Sequence, residues 1–271
     1  MKVGLMSDIH GNRHALEAVL ADAVGQGVSR WWVLGDLVAI GPDPVRTAAL
    51  VSDLSGVEII RGNTERYVLT DDRPPPHLEA VIADPDLLPL YEIIQRSFAW
   101  TGDALKGHGW FDWLGALPFE LRCVLPDGTT VLGVHSVPGK DDGEGITPHR
   151  DEQDLRRDLE DADAKIVFAG HTHQPTDRMV AGVRAVNLGS VSNPITDDLS
   201  ASYVVLHADR HGHRIEHRRV GYDRDAFLEA VNRSGHPASD YIASFQRGEQ
   251  IRYAARRPGA SESGRADGER R

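Results

Sequence analysis

A chain of 271 residues with 40% hydrophobic and 26% charged residues can bury a sizeable core without disulfide staples, which excludes a disordered or fibrous polypeptide. Its formal net charge of −11 repels nucleic-acid phosphates and anionic membrane faces, so neither a nucleic-acid coat nor a membrane surface is an expected partner. Cys123 is the single cysteine and no apolar run is long enough to span a bilayer, so an inert thiol and a cytoplasmic address are expected.

Val3 to Met6 reads as a buried strand, and the spacing of Leu16, Val19, Leu20 and Ala23 predicts a helix over about 12–24. Trp31 to Leu34 is a second strand. Pro44 to about Leu54 reads as a helix capped by Asp43, and Val57 to Ile60 as a third strand. This alternation is the pattern of an α/β fold. Residues 71–90, with Pro74-Pro75-Pro76, Pro85 and Pro89, read as a loop-rich stretch, followed by helices over about 90–105 and 110–114. Phe119 to Leu125 and Thr130 to Val134 read as strands joined through Asp127-Gly128, a hairpin signal. A glycine-bearing loop (136–149), a charged helix over about 151–159 and a strand at Ile166 to Ala169 come next. The stretches 177–180, 183–186, 203–207 and 214–220 are expected to close a second sheet, with 203–207 as an exposed edge, and 225–232 to form a short helix. The domain reading is one domain over 1–222 with an insertion at about 71–116, a C-terminal helical extension (223–254), and a tail (255–271) too poor in apolar residues to fold.

Five short segments place metal-ligating side chains just beyond expected strands: Asp8-Ile9-His10, Gly35-Asp36, Gly62-Asn63, Gly133-Val134-His135 and Gly170-His171-Thr172-His173. Ligand sites of α/β sheets lie outside the carboxyl ends of strands, so Asp8, His10, Asp36, Asn63, His135, His171 and His173 are expected to gather at one rim. Asp8 and His10, like His171 and His173, stand two apart, which in extended backbone aims each pair the same way. Singly, each residue is more often a cap or a core hydrogen-bond partner; the ordered series is what points to metal. Two divalent cations offset by two carboxylates leave a centre about two units positive, able to attract a phosphate into an acidic protein. Imidazole, carboxylate and amide donors without thiolate suit Mn, Fe, Zn, Co or Ni.

The series D-x-H, G-D, G-N, a strand-end H and G-H-x-H, in the fuller strings SDIHGNRHALEAVL, LGDLVAIGPDP, RGNTE, LGVHSVP, FAGHTHQP and VNLGSVSNP, resembles the calcineurin-like metallophosphoesterase superfamily, and within it the bacterial small phosphodiesterase-like branch, over about residues 1–223. The resemblance implies a four-layer sandwich of two mixed β-sheets flanked by helices, with two metals at the sheet edge. Carried over by position, one metal takes Asp8, His10, Asp36 and His173. The other takes Asp36, Asn63, His135 and His171, with Asp36 bridging. Asp36, Asn63 and His135 are the catalytic residues so implied, in a reaction where a metal-bridging hydroxide attacks phosphorus. Mn and/or Fe are the favoured metals, with Zn, Co or Ni as alternatives. The implied enzyme is a phosphoric ester hydrolase acting on small phosphodiesters or nucleotides. A dinucleoside polyphosphate hydrolase or protein phosphatase is the alternative within that chemistry, and a catalytically silent metal-binding scaffold the alternative outside it.

One position departs from the family pattern. Many members have His directly after Gly-Asn, as general acid; here Thr64 follows Asn63, and Glu65 follows Thr64. A threonine hydroxyl is too weak an acid for that task, so leaving groups that need little protonation are favoured. Glu65 is expected to cap its helix or to order His135. Asn12, Arg13, His14 and Thr64 are candidate substrate contacts, Asn12 and Arg13 because they open a helix beside the metals. Arg73, His77, Arg96, Lys140, His149 and Arg150 lie on the loops expected to wall the pocket.

Overall fold

The computed structural model describes residues 1–249 and 251. The chain runs β1 (Lys2–Met6), α1 (Arg13–Gly25), β2 (Arg30–Leu34), α2 (Pro44–Ser52), β3 (Val57–Ile60), α3 (Asn63–Leu69), α4 (Leu78–Ala83), α5 (Leu88–Gly107), α6 (Phe111–Gly115), β4 (Leu121–Val124), β5 (Thr130–Gly133), α7 (Glu152–Leu159), β6 (Ile166–Ala169), β7 (Thr176–Val180), β8 (Val183–Asn187), β9 (Ala201–Asp209), β10 (Gly212–Val220), α8 (Arg224–Ser234) and α9 (Ser239–Phe245).

The strands form two sheets, ordered β10-β9-β1-β2-β3 and β4-β5-β6-β8-β7. In the first, β1, β2 and β3 are parallel, while β9 and β10 are added antiparallel. In the second, β5, β6 and β8 are parallel between antiparallel edges β4 and β7.

The two-residue period of the strands sorts the apolar side chains into layers. Val3, Leu5, Trp32, Leu34, Val204 and Leu206 point from the first sheet into the space between the sheets, where they meet Val131, Ile166, Phe168 and Val186 of the second. Their neighbours Met6, Trp31, Val33, Tyr203 and Val205 turn outward, onto Leu16, Val19 and Ala23 of α1 and Ala48 and Val51 of α2. Leu132, Val167, Ala169 and Ala185 turn out of the second sheet onto Leu155 and Leu159 of α7. The result is the architecture of two mixed sheets flanked by helices.

Two expectations are corrected. The strands at 203–207 and 214–220 do not close the second sheet; β9 and β10 return to the first, beside β1. Nor is 203–207 an exposed edge, since β9 lies between β1 and β10. The reason is visible in the run Tyr203-Val204-Val205-Leu206: all four are buried, so this strand needs cover on both faces, as an interior strand does. The proline-rich stretch is more ordered than expected, for it contains α4, which buries Val81. In the C-terminal region, α8 and α9 pack around Phe227, Val231 and Ile242. The tail at 255–271 lies outside the described residues. Among those described, no helix is long and apolar enough to cross a membrane.

Phe168 is fully buried between the sheets, edge-on to Trp32 at 6.4 Å. Phe168→Ala should therefore destabilise the chain by about 3–5 kcal/mol, read from the urea midpoint at unchanged slope. A loss below about 1 kcal/mol would show that the inter-sheet layer is not the main core.

Candidate metal centre

The seven side chains singled out by the motifs lie together where β1, β2, β3, β5 and β6 end. Asp8 and Asp36 are almost wholly buried, as are His10, Asn63 and His135. The chain reaches this arrangement by leaving extended geometry. Asp8 (φ 55°), His10 (48°), Asp36 (55°), His171 (68°) and His173 (59°) all adopt left-handed backbone. The extended-chain argument for the two-residue spacings is thus replaced by a tighter one, in which each ligand pair sits on a turn. Such conformations cost of order 1–3 kcal/mol per residue and persist only where the surroundings impose them. Here they are imposed by lacing between loops. The N–H of Asp8 donates to Gly35 O (3.1 Å), that of His10 to Asp36 O (2.9 Å) and that of Gly170 to His135 O (2.8 Å).

His173 Nε2 lies 3.2 Å from Asp8 Oδ1 and 3.1 Å from His10 Nε2. His10 Nε2 is 3.8 Å from Asp36 Oδ2, whose other oxygen is 3.3 Å from His135 Nε2. Asn63 Oδ1 is 2.9 Å from His135 Nε2 and 3.1 Å from His171 Nδ1. The second nitrogen of every ring faces a backbone carbonyl: His10 Nδ1 that of Ala39, His135 Nδ1 that of Leu34 (2.7 Å), His173 Nδ1 that of Asn193 (3.1 Å) and His171 Nε2 that of Gly143 (2.8 Å). A carbonyl only accepts, so each outward nitrogen must carry the ring proton and each inward nitrogen of a neutral ring is a bare lone pair. When all four rings are neutral, four lone pairs, two carboxylates and the Asn63 amide oxygen confront one another. A cationic centre satisfies that set, and the donors present fit divalent metal. Asp8, His10 and His173 form one group of mutually close ligand atoms, and Asp8, Asp36 and His135 another.

Of the groups that support the cluster, Glu65 takes the first of its two expected roles, capping its helix, whereas Ser7 was not singled out in the sequence. Glu65, fully buried, accepts from the N–H of Asp36 (2.8 Å), Leu37 (2.8 Å) and Gly62 (2.7 Å), so it clamps the β2 loop to the start of α3 and does not touch His135. Thr64 donates from its backbone (3.0 Å) and its hydroxyl (2.9 Å) to Asp36 Oδ1. Ser7 donates to Asp8 Oδ2 (2.6 Å), and Ser190 Oγ to Asp8 O (2.9 Å). The signal for close packing was the glycines. A Cβ on Gly62 would stand 2.2 Å from Asp36 Oδ1, and one on Gly170 2.4 Å from Ser7 Oγ.

The candidate substrate contacts fare unequally. Thr64 is at the centre. Asn12 is buried and committed to capping α1, its Oδ1 accepting from Ala15 N (3.0 Å) and its amide facing Ser192 and Tyr222. Arg13 pairs with Glu17 (2.9 Å) and Asp43 (3.5 Å), and its guanidinium lies 3.5 Å from His14 Nε2. Among the described contacts neither Arg13 nor His14 touches the seven. Of the loop residues expected to wall the pocket, Lys140 lines a cleft of about 410 Å³ beside the centre; Arg61 and Arg66, not anticipated, line it as well.

Burial pulls the His135 imidazole down, yet the adjacent Asp36 carboxylate, helped by Asp8 and the Leu34 carbonyl, lifts it to about 10. His173 is raised by Asp8 against the same burial, whereas burial holds His10 and His171 below their ordinary range. Burial alone would raise Asp36, but His135, His10 and the Thr64 N–H keep it well below the carboxylate range. In the metal-free chain, a proton on His135 thus stands where a cation would.

Residues 1–211 match the model of the calcineurin-like phosphoesterase superfamily domain. The uncharacterized protein MJ0912 of Methanocaldococcus jannaschii is 26% identical over 245 residues, which are 84% of this chain and 91% of that protein. Two solved structures share the fold. The hypothetical protein PH1004 of Pyrococcus horikoshii OT3 has a TM-score of 0.74 at 20% identity, over 90% of this chain and 96% of that one. A metallophosphoesterase from Sphaerobacter thermophilus has a TM-score of 0.69 at 24% identity, over 92% and 99%.

Metal uptake must expel the proton on His135, so affinity should keep rising with pH up to about 10, with release of roughly one proton per chain. A pH-stat titration with Mn2+ reads this directly, and uptake without proton release would remove the assignment of the raised histidine. Thr64→Val deletes a donor to Asp36 and should weaken metal binding by roughly 10–100-fold. A variant with full metal affinity but a raised KM would instead make Thr64 a substrate contact.

Proposed function

Because the chain belongs to the calcineurin-like phosphoesterase superfamily, we propose that it is a binuclear metal-dependent phosphodiesterase that hydrolyses small phosphodiesters or nucleotides. The observation that carries this reading is the ring of inward-facing acceptors, each histidine locked by a backbone carbonyl so that its lone pair points at the carboxylates. Asp8, His10, Asp36 and His173 would hold one cation. Asp36, Asn63, His135 and His171 would hold the other. The two Asp36 oxygens face His10 and His135 separately, which suits a bridging carboxylate. Mn and/or Fe are the proposed metals, with Zn, Co or Ni as alternatives. A pair of such cations supplies Lewis-acid activation of water and neutralises charge on the phosphoryl oxygens.

The chain's own residues do the rest. Burial of Asp8 and Asp36 strengthens their hold by excluding water. Glu65 and Thr64 fix the position of Asp36. Thr64 is occupied in this way and is no proton donor, which favours esters whose leaving groups depart with little protonation. We read residues 1–222 as the catalytic domain with its insertion at 71–116, and 223–254 as a helical extension. The proposed substrate is a small phosphate ester met in the cytoplasm, with no nucleic-acid coat and no membrane.

Elemental analysis joined to a panel of esters tests the proposal. Wild type should cleave bis-p-nitrophenyl phosphate with Mn2+ or Fe2+ present. Asp36→Asn should lose metal from both positions and at least about 100-fold in turnover. Inactivity of the wild type on every diester and nucleotide with each of the five metals would refute it. Unchanged metal content in Asp36→Asn would refute the bridge.

A further inference from the structure

Resting on the phosphoesterase reading, we infer that the cleft lined by Arg61, Phe119 and Lys140 is a second phosphoryl-binding subsite, which selects esters carrying another phosphate beyond the bond that is cut. The cleft adjoins the centre on two sides. Gly62 alone separates Arg61 from Asn63, and Gly143, which also lines the cleft, gives its carbonyl to His171 Nε2 at 2.8 Å. It is an open cleft of about 410 Å³, wide enough to admit a phosphoryl group.

The charges in this cleft are not equivalent. Arg66 is locked to Asp141 through Nε and Nη2 (3.0–3.2 Å) and also pairs with Asp72 and Asp142. Lys140 is exposed and shares Asp158 with Arg150, at 3.2 Å and 2.9 Å. Arg61 differs: among the described residues no carboxylate pairs with it. Its guanidinium lies over the Phe119 ring, 5.3 Å from the centroid. The ring contact holds the group in place, and among the described residues no side chain takes its N–H edge, which matches two oxygens of a phosphate. An unpaired, oriented guanidinium beside a metal centre, in a chain of net charge −11, is a feature that surface solvation does not require. Because the cleft adjoins the centre through Gly62 and Gly143, the class of ligand proposed is one with two phosphoryl groups joined closely, as in nucleoside polyphosphates.

Calorimetric titration of the Mn2+-loaded full chain tests this without turnover. Methylenediphosphonate offers two phosphoryl groups and methylphosphonate only one. Wild type should prefer the diphosphonate, and Arg61→Ala should lower that preference by at least about tenfold. Arg61→Lys, which keeps the charge but not the fork, should restore only part of it. A preference unchanged in Arg61→Ala, or an equal loss of affinity for both probes, would overturn the subsite. Affinity is read directly, so the outcome stands apart from whether the chain hydrolyses any given ester.

Discussion

The structure is organised around a repulsion. Carboxylate oxygens, an amide oxygen and imidazole lone pairs are brought within about 3–4 Å of one another at the end of a buried sandwich, an arrangement that is unfavourable until positive charge enters. Everything near the centre serves to hold these groups together against that tendency. The left-handed turns are fastened by hydrogen bonds from the next loop, and each ring is tethered by a carbonyl outside the cluster. Stability is thereby exchanged for a centre that is already shaped when the cation arrives, which is how preorganised sites act.

The two sheets contribute in different ways. The first brings Asp8, His10, Asp36 and Asn63 from three parallel neighbours, β1, β2 and β3. The second brings His135, His171 and His173 from two, β5 and β6. The layer of Leu5, Leu34, Phe168 and Val186 between them fixes the distance at which the two sets meet. Packing far from the chemistry therefore controls ligand geometry, because the interior is close-packed and transmits small shifts.

Much of this was legible in the chain. The ligand residues stood out because Asp, His and Asn recur just past apolar runs, and strand ends are where α/β sheets place their sites. The parallel strands and α1 followed from periodicity alone. What escaped did so for physical reasons. β9 and β10 were assigned to the wrong sheet because strand order in space is set by long-range pairing, which local patterning does not encode. Ser7, and the hold of Thr64 on Asp36, escaped because small polar residues in loops look alike until their partners are known. Glu65 was read as a cap or a partner of His135; its carboxylate caps α3 through Gly62 and also holds the Asp36 loop. Arg61 drew no notice because its significance is that no carboxylate among the described residues pairs with it, and only coordinates reveal that.

The return of the chain to β1 also bears on the timing of assembly. Ser190 and Ser192 secure the backbone of Asp8 across 182 residues or more, and β9 covers the flank of β1 from a similar distance. During ribosomal synthesis Asp8 emerges 182 residues ahead of Ser190, which braces it. Such distant closures slow folding and leave a strand edge uncovered meanwhile. A nascent chain halted just before Ser190 would hold all seven candidate ligands without the brace that aligns them, and an open β1 flank on which other chains can pair.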